Sequence, residues 1–359
     1  MMSRHLFIAG CIAVFSSMAT GRDLTAREEK ENEIRALVSR LQSLEGARPK
    51  DLELQLGLAV FYRDYYVSAD YSERRDAQYA RVLGIDPNNK VIWQMRADDA
   101  VGKALGAQEK TVHYLESQIE NAQTYGRKQI YIAIGIYAND PNPNRPWSLL
   151  YNVLGDKSGR TVEIKEEDYD LARAKVRQYA DNALNQGIKE VDECERHDAE
   201  NAYYNYSRAE LYFNLRQPAL AVQELQAAVR KPFIQRYLDQ KEKAVTRALE
   251  IAEAPAGLFS TSEHRTPAGD YVFTFIWQKY AEPLAAKMEA EGNLDEANEI
   301  YKLATGVAKQ IREEQLPYDS PYNRGVGARL ERWATERASA LEKRMDGPAK
   351  PSDNTPASK

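Results

Sequence analysis

At 359 residues the chain is long enough for two average domains or one elongated array, and a hydrophobic fraction of 43% excludes global disorder. Lys and Arg total 49 against 54 Asp and Glu, a net charge of −5. The clustered excess of cations that non-specific nucleic-acid binding needs is missing, so no nucleic-acid partner is expected.

In chain order, the first feature is an export signal. Arg4 and His5 form a short basic start, Leu6 to Phe15 an apolar run, and Ser17-Met18-Ala19 a small-residue site, so cleavage is expected near Ala19 and residues 1–19 form a signal peptide. The run is shorter than the about 20 apolar residues that span a bilayer, and no later stretch is longer, so no transmembrane span is expected once the signal is removed. Ile8-Ala9-Gly10-Cys11 resembles the lipobox of bacterial lipoproteins, which makes Cys11 a candidate lipidation site, although the apolar run continues past it. The expected location is periplasmic or secreted, with a lipid anchor through Cys11 as the alternative. Loss of Cys11 leaves Cys194 as the sole thiol, so packing rather than a disulfide must hold the fold.

Helical periodicity dominates from residue 25 onward. Ile34, Leu37, Val38, Leu41 and Leu44 step by threes and fours along one face, and Gly46 and Pro49 end that helix. Helix pairs then recur. Asp86-Pro87-Asn88-Asn89 closes one unit, and Trp93-x2-Arg96-Ala97-x2-Ala100 sets one large and two small residues on a single face. Related spacings are Leu56-Gly57-x2-Val60, Tyr131-x2-Ile134-Gly135-x2-Ala138, Arg208-Ala209-x2-Tyr212 and Ala281-x2-Leu284-Ala285-x2-Met288. Small residues at Gly57, Ala97, Gly135, Ala209 and Ala285 would let the two helices of a hairpin pass closely. The same interval separates Ala209 from Ala221 and Ala285 from Ala297, opening second helices with Ala221-x3-Leu225-x2-Ala228 and Ala297-x3-Tyr301-x2-Ala304. Phe233 to Ala254 reads as a lone helix without a clear partner.

These patterns resemble the tetratricopeptide repeat, a helix-turn-helix unit of about 34 residues. The resemblance is strongest over Ala281 to Ala304 and Asn205 to Pro232, fair over Leu52 to Ala100, and covers about a third of the chain. It implies an all-α fold, a superhelical array of antiparallel helix pairs over residues 20–346, interrupted by two loop insertions. These run from about 139 to 165, with a short strand at Thr161 to Ile164, and from 254 to 269; each carries several Pro and Gly. Residues 347–359 are rich in Pro, Ser, Lys and Asn and are expected to be disordered. The first helices of such an array line a concave groove. Carried over by position, that lining is Tyr203, Tyr206, Glu210, Phe213 and Asn214 in one unit and Leu54, Leu58, Phe61 and Tyr62 in another, aromatic and weakly charged. With 22 tyrosines against 8 phenylalanines, the chain favours rings that keep a hydroxyl for water, a partner or a neighbouring helix.

Catalytic signals are sparse. His113, beside the stripe of Val112, Leu115 and Ile119, reads as a partly buried structural residue. Cys194 and His197 lie one helical turn apart, but a structural zinc site needs four ligands and no second Cys/His pair exists, so no metal or other cofactor is expected. No phosphate-cradling motif or nucleophile elbow is present. Asn205-Tyr206-Ser207 matches a glycosylation acceptor inside an expected packed helix. The leading expectation is therefore a scaffold that binds a protein or peptide partner and is not an enzyme. The alternatives are a helical enzyme with carboxylates such as Glu166, Glu167 and Asp168 brought to the second insertion, and a glycan binder using exposed Tyr and Trp.

Overall fold

The computed structural model describes residues 21–64, 71–133, 153–154, 161–255, 276–313 and 321–345. The signal segment with Cys11 and Ala19, Gly135, most of both insertions and the 347–359 tail lie outside the described residues. What is described is mostly helical, in helices packed against one another. In chain order these are α1 (Gly21–Ala47), α2 (Leu52–Asp64), α3 (Tyr71–Ile85), α4 (Lys90–Gln108) and α5 (Tyr114–Thr124). Strands β1 (Gln129–Ala133) and β2 (Thr161–Lys165) follow, then α6 (Tyr169–Glu195), α7 (Tyr203–Asn214), α8 (Pro218–Val229) and α9 (Leu238–Ile251). The last helices are α10 (Glu282–Ala290), α11 (Leu294–Glu313) and α12 (Pro321–Met345).

The chain forms two compact units, one from residues 1–87 and 240–265, the other from 88–239 and 266–359. In the first, the α1 stripe buries Leu37 and Leu41 completely. Asp51 accepts a hydrogen bond from the Leu54 amide at 3.1 Å and so starts α2. Gln55 and Gln78, both buried, bond across α2 and α3: the Gln78 amide nitrogen donates to Gln55 Oε1 at 2.6 Å and the Gln55 amide nitrogen donates to the Arg48 carbonyl at 2.7 Å, while Gln78 Oε1 accepts from none of the described residues. The helix read as lone has a partner. α9 presses on α2 at Gly57, where an added Cβ would lie 2.1 Å from the Ala244 carbonyl oxygen. The small residue at Gly57 thus admits α9, and not the second helix of its own hairpin.

The second unit begins at Asn89, whose side chain accepts from the Ile92 amide at 3.2 Å and caps α4. A π-helical turn, Glu109–His113, joins α4 to α5. The two strands pair antiparallel with Ile130 opposite Ile164, and both Ile side chains enter a core with Leu115, Ile119, Tyr169 and Val176. Here the sequence reading is corrected: Tyr131 belongs to a strand, not to a repeat helix. Gln129 and Tyr131 face out, Tyr131 56% exposed, while Ile130 between them is buried, the alternation of a strand and not of a helix pairing Tyr131 with Ile134. The sheet has two strands, and its second matches the short strand expected from Thr161.

Helix packing in this unit runs α4 on α6, both on α7, α7 on α8, α8 on α11, α10 on α11 and α11 on α12. Ala97, Ala209, Ala221, Ala285, Ala297 and Ala304 are fully buried, and Tyr301 is 2% exposed. A second π-helical turn, Trp277–Ala281, leads into α10. Gly292 then takes φ +86°, in the left-handed region, and the Asn293 amide closes the turn on the Met288 carbonyl at 2.8 Å.

Candidate functional site

α7 is buried along its length apart from a partly exposed Tyr212. Polar residues line it, yet Asn205, Ser207, Arg208, Glu210 and Asn214 are all buried, because α4, α6 and α8 pack around it and the Trp277–Ala281 turn meets its end. The lining expected to be open is therefore packed. Tyr203, Tyr206, Glu210, Phe213 and Asn214 are each 9% exposed or less, and so are Leu54, Leu58, Phe61 and Tyr62 in the first unit. Their rings tie helices together. The Tyr206 hydroxyl donates to Gln310 Oε1 of α11 at 2.5 Å, and the Gln310 amide donates to the Ala228 and Lys231 carbonyls at 3.0 and 2.9 Å. Tyr203 donates to Asp98 of α4. In the first unit, Tyr62 donates to Glu45 Oε2 at 3.1 Å.

The end of α7 holds a different arrangement. Phe213 stacks on Tyr280 with centroids 5.1 Å apart and planes 6° from parallel. The Tyr280 hydroxyl donates to Asn214 Oδ1 at 3.1 Å, and the Asn214 amide donates back to the Glu210 carbonyl at 2.8 Å. Lys279 Nζ lies 4.9 Å from the Tyr280 ring centroid. Of the four polar residues expected along this face, Glu210 alone makes no side-chain hydrogen bond among the described residues. Burial pushes its carboxyl up to about 7, against the opposing pull of the Lys279 ammonium. Lys279 and Tyr280 escaped the sequence reading because both sit in the π-helical turn, a wide turn recurrent at functional sites. One trace was available: Tyr280 stands five residues ahead of Ala285, as Tyr204 does ahead of Ala209.

Behind this face lies a charge network. Arg208, with a side chain 7% exposed, meets Asp192 at 3.1 Å and Glu224 at 3.0 Å and also pairs with Glu195, which Lys231 holds as well. Asn205 donates to Glu224 at 2.7 Å. Three carboxylates share two cations, so one is left under-compensated. Desolvation raises the Asp192 carboxyl, whereas the Arg208 and Lys231 hydrogen bonds hold Glu195 below its ordinary value despite burial. A second knot fixes the turn before α7. The buried Asp198 carboxylate lies 3.0 Å from Lys90 Nζ and accepts from Asn201 and Tyr237 at 2.8 and 2.6 Å.

The remaining candidates fall elsewhere. Cys194 is 2% exposed, and burial pushes its thiol up to about 12, which makes it inert. His197 stacks on Trp93 at 3.9 Å, with no cluster of metal-ligating groups among the described residues. His113 is exposed rather than partly buried, because the π-helical turn carries it off the apolar stripe. Glu166, Glu167 and Asp168 occupy an exposed 3-10 turn. Asn205 is 4% exposed, out of reach of a glycosylating enzyme in the folded chain. No helix among the described residues is long and apolar enough to cross a membrane. No family model, no curated protein and no solved structure matches this chain.

Proposed function

We propose that the chain is an exported helical-repeat scaffold of the tetratricopeptide kind, which holds a protein or peptide partner at the end of α7. Support comes from successive helix pairs, α7 with α8 and α10 with α11, that pack pair on pair and carry the fully buried small residues Ala209, Ala221, Ala285 and Ala297. The observation that carries the reading is Glu210. Glu210 is 5% exposed and its carboxyl makes no hydrogen bond within the described residues, which leaves its oxygens for a ligand's donor. The Lys279 charge acts on its carboxyl, Asn214 bonds both to its main-chain carbonyl and to the Tyr280 hydroxyl, and Phe213 stacks on the Tyr280 ring. The partner's contribution is a donor group, reaching Glu210 past the Phe213–Tyr280 stack.

Affinity capture of the tagged mature chain from its native cells, in parallel with Glu210→Gln and Tyr280→Phe, tests this. A discrete protein retained by the wild type, and weakened about tenfold or more by either variant with no fall in melting temperature, supports the reading. Equal retention by all three chains, or none by the wild type, refutes it.

A further inference from the structure

A cleft of about 310 Å³ lies between α10, α11 and α12, within the second unit. Glu282 and Glu289 line it from α10, Tyr301 from α11, and Arg337 and Arg344 from α12. Rings back its wall: the Tyr301 ring meets Trp333 edge-on at 5.6 Å, and Trp333 meets buried Trp277 at 5.9 Å. Burial, and then the Glu289 charge, push the Tyr301 hydroxyl up, so it stays a protonated donor and points its hydrogen at Glu289 Oε2, 3.3 Å away.

The charges divide into two sets. Glu289 is satisfied, holding the Tyr301 hydroxyl on one oxygen and Arg344 on the other. Glu282 and Arg337 make no ion pair or hydrogen bond among the described residues, although both act on the Tyr301 hydroxyl and so face the same cleft. One carboxylate and one guanidinium therefore stand uncommitted in a small recess with an aromatic wall. A guanidinium presents a planar fork suited to a carboxylate, and a half-buried carboxylate suits an ammonium. The volume is at the small end of ligand pockets. We infer that this cleft binds a free α-amino acid, its carboxylate on Arg337 and its ammonium on Glu282. None of the residues lining this cleft is among those proposed to hold the partner at the end of α7.

Calorimetric titration of the full mature chain with a panel of common L-amino acids provides the test. Each amino acid that binds is compared with its N-acetyl form, which lacks the cation, and its α-amide, which lacks the anion. Saturable binding is expected for at least one amino acid, with each blocked form weaker by about tenfold or more. Arg337 is exposed and Glu282 half-buried, so Arg337→Gln and Glu282→Gln should fold normally. Arg337→Gln should lose discrimination between the acid and its amide, and Glu282→Gln between the free amine and its acetyl form. No binding by any member of the panel overturns the inference. So does a blocked form that binds as tightly as its parent, or variants that keep the wild-type discrimination.

Discussion

At the residue scale Glu210 makes stability depend on pH in an unusual direction. An ordinary unfolded Glu titrates near about 4.3, whereas this one holds its proton to about 7. Below the unfolded value both states are protonated, and its stabilising contribution is complete. As pH rises toward 7 the unfolded chain releases a proton that the folded chain retains, so stability falls, by roughly 3 kcal/mol once the folded carboxyl has ionised. Urea titrations at pH 5 and pH 8 should show that loss in the wild type and its absence in Glu210→Gln. An equal slope in both would place the pH response elsewhere. The position of Glu210 on the face with Tyr206 and Phe213 was legible from helical spacing alone. That the face would be closed was not, because closure depends on Gln310 and Tyr280, which lie far along the chain in helices whose approach no local pattern encodes.

At the element scale, glycines separate helix crossings from plain helix surface. Gly57→Ala drives a Cβ into a backbone carbonyl of α9, which cannot rotate away, and should cost about 3 kcal/mol. Gly102, exposed in α4 with open space where a Cβ would stand, should tolerate alanine and gain about 0.5–1 kcal/mol from the stiffer unfolded chain. Thermal melts of the two single variants check the opposite signs, and a shift in the same direction would sink the crossing assigned to Gly57. The α1 stripe and the small-residue positions of α7, α8, α10 and α11 were readable because each repeats at helical intervals. β1 is hidden in the sequence because Tyr131 and Ile134 also satisfy a helical spacing, and five residues are too few for period two to prevail.

At the scale of the whole molecule the two units interleave: the chain leaves the first at residue 87 and returns to it at 240. A fragment ending at residue 87 keeps α1, α2 and α3 but lacks the helix seated on Gly57. It should show no cooperative melt by circular dichroism, and a separate peptide spanning residues 238–255 should restore one. A cooperative transition in the fragment alone would show that α9 is dispensable to that unit. The same interleaving sets a clock on biosynthesis. Roughly 150 residues separate the first visit from the second, which at about 5–20 residues per second takes on the order of ten to thirty seconds of translation. Throughout that interval the α2 surface reserved for α9 has no native cover, so the portion of the chain made first is completed late, and a ribosome that stalls between the two visits leaves it ready to stick to another nascent copy.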